Sequence, residues 1–364
     1  MTDYVDKTKE TALIDASKEG NFELVKSLIE KDVNINFFDI NQYNNTKTTP
    51  LIYASKNGYL DCVKILVENG ANINFNVEDD DDDDENYYGD TALLVATEFR
   101  HLDCIKVLVE NGANINQKNY FRTTSLMLAI ENKYLECARY LIDKGADINH
   151  EDCNYSTALL SVIINNDNNN DNNNDNNNDN NNDNIEILQY LIDNGADINY
   201  SNNIGLTPLN LSIQSNNIEI MKCLIDNGAD IYHINEDEDT ALIYATIEGL
   251  NEYVKYLVEN FDDLKNHVNI NKFTALMYAS ECRNLQNIKC LLEYGADMNL
   301  EDKKGNTALI LASKFGNLEC VQCLLEYGPD INHVNNEGKK AEDVAISEEI
   351  KDLIMKYSYG VILK

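Results

Sequence analysis

Apolar and polar residues recur along the chain in a fixed pattern of positions, which we call the frame. Counted from a threonine as position 0, each frame has leucine at position 2 and a small residue, usually alanine, at position 5. Further on, apolar residues mostly occupy positions 13, 14, 17 and 18, which is the spacing of a buried stripe on a helix. The threonine is a predicted N-cap, and a glycine usually ends the second half. Each frame therefore predicts two short helices.

The frame occurs nine times, and its commonest step is 33 residues. The threonines that start the nine frames are Thr11, Thr49, Thr91, Thr124, Thr157, Thr207, Thr240, Thr274 and Thr307. A shortened tenth copy starts at Lys340 and has the polar Glu342 in place of the leucine, as a capping repeat requires. A single helix pair cannot bury its apolar face, whereas stacked pairs share one core. The predicted fold is an all-α helix-turn-helix repeat solenoid with short β-turn or hairpin loops.

This frame closely resembles the ankyrin repeat. The resemblance rests on Thr-Ala/Pro-Leu-x-x-Ala, on the Gly-x-Leu-Glu region and on Leu-Ile/Val/Leu-x-x-Gly-Ala-Asp-Ile-Asn, and it covers roughly residues 10 to 356. Asp32 and Phe261 depart from it, because each stands where the family has glycine. The resemblance implies a protein-binding stack whose partners contact the turn tips and the exposed side of the first helices, which together form its concave face.

The frame divides the chain into three parts. These are a lead-in, nine repeats and a capping repeat with a tail: residues 1–10, 11–339 and 340–364. An acidic insert, residues 78–85, precedes Thr91 in a turn between repeats. We interpret it as a solvated charge run, with a docking element for a basic partner as the alternative. Its carboxylates are contiguous and lack the alternating ligands and turn glycine of a calcium loop.

A second insert is a run of asparagine and aspartate at residues 165–184. It falls between the two helices of the fifth repeat and adds 17 residues there. Because the entropy of loop closure grows slowly with length, a loop at this place leaves the stack intact. We expect an unstructured expansion, with a ligand-binding role as the alternative. The second helix is predicted to resume at Ile185.

Charge and cysteine usage limit the possible partners and compartments. The net charge is −34, from 63 acidic and 29 basic residues, so nucleic acid and anionic membranes are not expected partners. No apolar run approaches the roughly 18 residues of a membrane span. Nine scattered cysteines favour a reducing compartment. We expect a monomeric cytoplasmic protein, with the nucleus as an alternative location.

Residues suited to catalysis or metal binding are few. Most cysteines fall on positions 13 and 16, where they can act as small hydrophobic residues. Cys320-Val-Gln-Cys323 is formally a CxxC pair, but it lies inside a predicted helix with no second pair nearby, so we favour packing over zinc or redox chemistry. His150, His233 and His333 share one position and are interpreted as exposed turn residues. Since no phosphate-binding, nucleophile-elbow or zinc-protease motif occurs, we expect no enzyme, no cofactor and no metal.

Aromatic residues gather in the third and fourth repeats, on turn tips and on the first helix. With the acidic insert they form the candidate partner-binding set: Tyr87, Tyr88, Phe99, Arg100, Tyr120, Phe121, Asp79, Asp80, Asp81, Asp82, Asp83 and Asp84. Aromatic residues and arginine are enriched in binding hot spots. The alternative is that the rings fold back and pack between neighbouring tips.

These features predict a non-enzymatic scaffold or adaptor that binds a partner protein on the concave face. The partner is expected to carry basic and apolar groups. A regulatory or recruiting subunit of an enzyme complex and a structural spacer without a specific partner remain alternatives, because one fold supports many functions.

Overall fold

A computed structural model describes residues 2–40, 47–75, 90–165 and 177–358. The chain forms two compact units, Met1–Asp197 and Ile198–Lys364, and each contains five consecutive helix pairs. In each unit the first helices of successive pairs pack on one another. The described residues are helical apart from turns, one short hairpin and one isolated β-bridge. The fold is therefore all-α, as predicted.

In the first unit, the first helices of the pairs are α1 Thr2–Glu19, α3 Pro50–Lys56, α5 Ala92–Glu98, α7 Ser125–Glu131 and α9 Ala158–Ile164. The second helices are α2 Phe22–Ile29, α4 Leu60–Glu68, α6 Leu102–Glu110, α8 Leu135–Asp143 and α10 Asn177–Asp193. A hairpin of β1 Asp39–Ile40 and β2 Lys47–Thr48 precedes α3, with Asp39 opposite Thr48 and Ile40 opposite Lys47.

In the second unit, the first helices are α11 Pro208–Gln214, α13 Ala241–Ile247, α15 Ala275–Glu281, α17 Ala308–Phe315 and α19 Ala341–Val344. The second helices are α12 Ile218–Asp226, α14 Asn251–Asn260, α16 Leu285–Glu293, α18 Leu318–Glu326 and α20 Glu348–Ser358. A 3-10 helix, Asp262–Asn266, follows α14.

The frame threonines cap the first helices, as predicted. Eight of them hold an extended backbone, and the side-chain oxygen of each accepts a hydrogen bond from the amide three residues later. At Thr124, for example, the amide of Met127 donates to the threonine hydroxyl over 3.4 Å. This contact satisfies one of the orphan amides of the first turn. The cap fixes the point where each exposed turn passes into the buried helix.

The first repeat departs from this prediction, because Thr11 lies inside α1 and not at the start of a helix. The residues before it, Lys7 to Glu10, contain no glycine, proline or asparagine that would favour a turn. Lysine and glutamate are good helix formers. The helix therefore extends through the lead-in to Thr2.

The Asn/Asp run also differs from its prediction. Helix α10 begins at Asn177, eight residues before the expected start at Ile185, and Asn184 is buried. Once the apolar part of α10 packs against α8 and α9, adding a turn needs no new nucleation. The helix can therefore extend into a polar run. The part of the run at residues 166–176 lies outside the described residues.

Most second helices are followed by a residue with a left-handed backbone conformation. Gly70, Gly112 and the other glycines predicted at this place have φ between +77° and +95°, where a residue with a side chain is strained. Asp32 adopts the same conformation without glycine, at φ 58°. Phe261 does not, at φ −134°, and the chain continues there into the 3-10 helix. Because neither residue is glycine, the sequence predicts irregular helix ends at both, and the structure shows one at Phe261 but not at Asp32.

Asparagine side chains link each repeat to the next. In the commonest form, the side-chain oxygen of the asparagine that closes one repeat accepts the amide of the second residue after the helix-ending glycine of the following repeat. In the described residues the bonded pairs are Asn36–Asn72, Asn74–Asn114, Asn116–Asp147, Asn149–Asp197, Asn199–Asp230, Asn266–Asp297 and Asn299–Asp330, at 2.7 to 3.0 Å. At Tyr232 an aromatic residue replaces the asparagine, and its hydroxyl donates to the Asp263 carboxylate. We call the seven described contacts made by asparagine the asparagine bridges.

The three histidines are not exposed turn residues, so that interpretation was wrong. Each is half-buried, and its Nε2 lies within hydrogen-bonding distance of a carbonyl in the preceding turn. The partners are Arg122 at 2.8 Å for His150, Gly205 at 3.4 Å for His233 and Gly305 at 2.8 Å for His333. Each of these partner residues is left-handed, with φ from 58° to 74°. The histidines therefore join neighbouring turns.

Candidate protein-binding surface

The structure describes only part of the candidate partner-binding set. Tyr87, Tyr88 and the acidic residues Asp79–Asp84 lie outside the described residues. The four remaining residues, Phe99, Arg100, Tyr120 and Phe121, fall in three different places on the third and fourth repeats. Only Tyr120 and Phe121 are brought together.

Tyr120 and Phe121 occupy the tip of the turn before α7. The turn is closed by Asn119, whose amide donates to the Thr123 carbonyl and whose side chain accepts the Thr123 amide, over 3.1 and 3.0 Å. At the tip the two rings meet edge to face, with centroids 5.5 Å apart. The residues remain 53% and 44% exposed, respectively. The pair therefore presents a rigid apolar surface to solvent.

The next turn adds an aromatic residue that the sequence analysis missed. The Cys153 amide donates to the Phe121 carbonyl over 3.0 Å and so joins the two turns. Asp152 closes this turn by accepting the amides of Asn154 and Ser156. Tyr155, at its tip, is 44% exposed and left-handed, at φ 59°. Its place two residues before a frame threonine, equivalent to that of Arg122, was the signal that could have revealed it.

Phe99 lies at the other end of the first helix. It directly follows α5, which has seven residues and is therefore about 10 Å long. The residue is 44% exposed, and the Lys56 ammonium lies 5.0 Å from its ring centroid. This geometry suits a cation–π contact. Lys56, on the preceding repeat, is thus a further surface residue that the sequence analysis did not select.

Arg100 is exposed but contacts the next repeat. It occupies the turn between α5 and α6 at φ 64°, and its guanidinium lies 5.0 Å from the Tyr134 ring centroid in the next repeat. In the earlier repeats the equivalent residues are glycines covered by the ring one repeat ahead. A Cβ on Gly20 would come within 2.6 Å of the Tyr59 ring. The structure therefore gives Arg100 a packing contact, and a role in partner binding stays a prediction.

Carboxylates line the face between these aromatic residues. Burial raises the pKa of Asp90, although Asn119 donates a hydrogen bond to its carboxylate and Lys56 lies near. The pKa of Glu98 is raised by partial desolvation and by the negative charge of Asp90. Partial desolvation and the charge of Asp152 likewise raise the pKa of Glu131. Desolvation is the largest cause in all three cases, so a cation placed beside these groups would stabilise their charged forms.

The buried cysteines form no candidate active site. Cys320 and Cys323 pack in the core of the last repeats, as predicted. Burial raises the pKa of both thiols, that of Cys320 to about 12, which keeps them protonated at neutral pH and unsuited to thiolate chemistry. Among the described residues, no cluster of His, Cys, Asp and Glu has the arrangement of a metal site. No described helix is long and apolar enough to cross a membrane.

The repeat geometry can now be compared with known proteins. A family model that comprises three ankyrin repeats matches the chain at six overlapping or adjoining places: residues 2–79, 75–152, 153–235, 178–272, 230–302 and 276–357. The chain belongs to the ankyrin repeat family. Ankyrin repeats are generally modules of protein–protein interaction and are typically non-enzymatic. The comparison with curated protein sequences finds no match.

Solved ankyrin repeat structures share this fold. The ankyrin repeat domain of human ASB11 is 22% identical, with a TM-score of 0.52, and the alignment covers 65% of this chain and 98% of that domain. The ankyrin repeat domain of Bcl-3, a member of the IkappaB protein family, is 23% identical, with a TM-score of 0.56, and the alignment covers 64% of this chain and 98% of that domain. At this identity the likeness concerns the fold alone.

Proposed function

We propose that the chain is a non-enzymatic scaffold or adaptor whose partner protein binds the first-helix side and turn tips of repeats three to five. The observation that carries this proposal is the edge-to-face pair of Tyr120 and Phe121, with Tyr155 on the adjoining turn. Exposed aromatic rings held on a rigid turn cost little ordering entropy on binding. They have the character of hot-spot anchors.

The charge of this surface indicates the chemistry of the partner. Desolvation is the main cause of the raised pKa values of Asp90, Glu98 and Glu131, and nearby carboxylates add to it for the two glutamates. Lysine or arginine side chains of a partner would therefore stabilise the charged forms of these groups. The acidic insert ends at Glu85, five residues before Asp90, and it adds negative charge to the same turn. We therefore expect a partner with basic and apolar groups. We also expect a monomer located in the cytoplasm or the nucleus.

The proposal is tested with a partner captured by proximity labelling in cells. Tyr120→Ala and Phe99→Ala should each raise the off-rate about tenfold or more, because about 1.4 kcal/mol per ring corresponds to that factor. Tyr327→Ala is the control, since Tyr327 is exposed to 44%, as Phe99 is, but lies in the second unit. Surface plasmon resonance measures the rates. If Tyr120→Ala and the control behave alike, the binding surface is elsewhere.

The acidic insert should act on a different step. Neutralising Asp79–Asp84 is expected to slow association at low salt and to matter little at high salt, because charge outside the contact mainly steers encounter. Two alternatives make different predictions. A spacer would capture no partner above the level of an unrelated repeat protein, and a regulatory subunit would bring down an enzyme whose activity it changes.

A further inference from the structure

The second unit has a groove of opposite charge to the surface described above. It lies between the turns that precede α15 and α17, and its volume is about 450 Å³. Its lining includes three lysines, Lys303, Lys304 and Lys314, against two acidic residues, Glu281 and Asp302. The chain as a whole carries 63 acidic and 29 basic residues. The local balance of charge is therefore opposite in sign to that of the whole chain.

The floor of the groove is aromatic and apolar. The Phe273 and Tyr278 rings lie 4.9 Å apart at a tilt of 50°. Asn269 fixes the tyrosine by donating to its hydroxyl over 2.9 Å. Leu311 and Phe315 of α17 complete the apolar lining. The floor can accept an apolar side chain of a ligand.

Among the described residues no ion pair joins a carboxylate to the three lysines on the rim, and the Asp302 carboxylate is engaged inside its own turn. That carboxylate is buried, and it accepts the amides of Lys304 and Asn306 over 2.7 and 2.8 Å and the Asn306 side-chain amide over 2.9 Å. Within the described part of the second unit, the ion pairs join other residues, and no carboxylate lies within 4.0 Å of the Lys303, Lys304 or Lys314 ammonium. The groove therefore presents positive charge to solvent.

The field of these lysines reaches the next turn. The pKa of Glu337 lies below its ordinary value, first because Lys339 donates a hydrogen bond to it and adds its charge, and then because Lys314 and Lys304 are near. A carboxylate brought into the groove itself would lie closer to these two lysines. It would therefore meet a favourable potential despite the negative charge of the chain.

We propose that this groove binds an acidic segment of a partner protein, with carboxylates against Lys303, Lys304 and Lys314 and one aromatic or aliphatic side chain on the Phe273–Tyr278 floor. A short acidic segment responds to the local cations, because charges beyond a Debye length of about 8 Å are screened at physiological salt. A long polyanion such as nucleic acid would also meet the repulsion of the net charge of −34. This inference does not depend on the function proposed for the first unit.

The test uses the full chain and a fluorescein-labelled peptide of about 12 residues, with one phenylalanine between two runs of aspartate and glutamate. Fluorescence anisotropy should show saturable binding, and Lys303→Glu with Lys304→Glu should weaken it about tenfold or more, since like charges then face the peptide. Lys255→Glu with Lys289→Glu is the matched control. It changes the net charge equally on the second helices, outside the groove, and it should alter the Kd less than about twofold.

Two further variants test the two halves of the groove. Lys314 lies on α17 and not on the turn. Lys314→Glu should therefore weaken binding even if circular dichroism shows that the turn variant is misfolded. Phe315→Ala should weaken binding of the phenylalanine peptide and leave an alanine version of the peptide unchanged. The proposal is overturned if the peptide does not bind saturably or if the groove and control variants weaken it equally. Tighter binding of a labelled single-stranded oligonucleotide would also overturn it.

Discussion

The turn before α7 and the turn before α17 have the same backbone and opposite surface chemistry. In the first, Asn119 closes the turn and Tyr120 and Phe121 occupy its tip. In the second, Asp302 closes the turn and two lysines occupy the equivalent places, four and three residues before the frame threonine. The caps Thr124 and Thr307 are both buried and bonded alike. The frame thus sets the position of the tip residues but not their identity.

This comparison separates two kinds of residue in a repeat protein. Leucine at position 2 and the threonine cap are buried in both regions, so their replacement would disturb the stack. Tip residues and position 7 of the first helix are solvent-facing and free to differ. Position 7 holds Glu98 and Glu131 in repeats three and four and Lys314 in repeat nine. Recognition can therefore vary from repeat to repeat on an unchanged core.

The strongest test exchanges the tips. In one variant Tyr120 and Phe121 both become lysine, and in the other Lys303 and Lys304 become tyrosine and phenylalanine. Each variant should lose at least about tenfold in affinity for its own probe, because truncating anchor or charge contacts commonly costs more than 1.4 kcal/mol. The probe for the groove is the acidic peptide, and the probe for the tip of the turn before α7 is the same peptide with every acidic residue replaced by lysine. Fluorescence anisotropy measures the binding of both. Unchanged preferences would show that the tips do not determine the choice of ligand.

A second test removes the caps that the two turns share. Thr124→Ala and Thr307→Ala should each lower the free energy of unfolding by about 1 kcal/mol, the usual cost of losing an N-cap. Urea denaturation followed by circular dichroism measures this loss. Thr124→Ser, which keeps the hydroxyl, is the matched control. If alanine and serine variants are equally stable, the hydroxyl contact is not what stabilises the helix start.

The two surfaces should also differ in their response to pH. The ordinary pKa values are 3.8 for aspartate and 4.5 for glutamate, and those of Asp90, Glu98 and Glu131 are raised above them. As pH falls, these carboxylates are protonated first and stop attracting a basic ligand, whereas the lysines of the groove stay charged. Between about pH 7.5 and about pH 5, the basic peptide should therefore lose a few-fold in affinity and the acidic peptide much less. Equal losses would contradict the assignment of these carboxylates to the binding surface.

The smallest effect is expected from the Asn/Asp run. Deleting Asn168 to Asn176, which precede α10, should leave the free energy of unfolding within about 1 kcal/mol, since loop entropy depends weakly on length. Neither peptide affinity should change. A deletion that continues to Asn184 should cost more, because Asn184 is buried in α10. Equal stability of the two deletions would show that the helical extension contributes nothing.

Much of the fold was predictable because it repeats. Threonine caps, left-handed glycines and buried leucines follow from rules of local geometry, and nine copies make each rule visible. The prediction of a cap at Thr11 was wrong because a cap forms only where the preceding chain turns. Lys7 to Glu10 favour helix instead. The asparagine bridges and the histidine–carbonyl contacts were missed for another reason. They join residues about one repeat apart, so that only the stacked structure shows the partner.

The candidate surface was less predictable than the fold. The structure brings the Tyr120 and Phe121 rings together, but the sequence could not distinguish exposed rings from rings packed between tips. The Lys56 contact with Phe99 needed the structure, because it crosses from one repeat to the next. The pair Lys303 and Lys304 was visible as adjacent basic residues in an acidic chain. Its importance depends on where the Asp302 carboxylate points, which sequence does not reveal.

The asparagine bridges give the stack a direction. In every described bridge the accepting side chain belongs to the earlier repeat and the donating amide to the later one. A chain leaving the ribosome with its N-terminus first therefore exposes each acceptor before the amide that needs it has been made. Each newly made repeat can dock on a surface that is already complete. Growth from the opposite end would instead form the amide of each asparagine bridge before its acceptor.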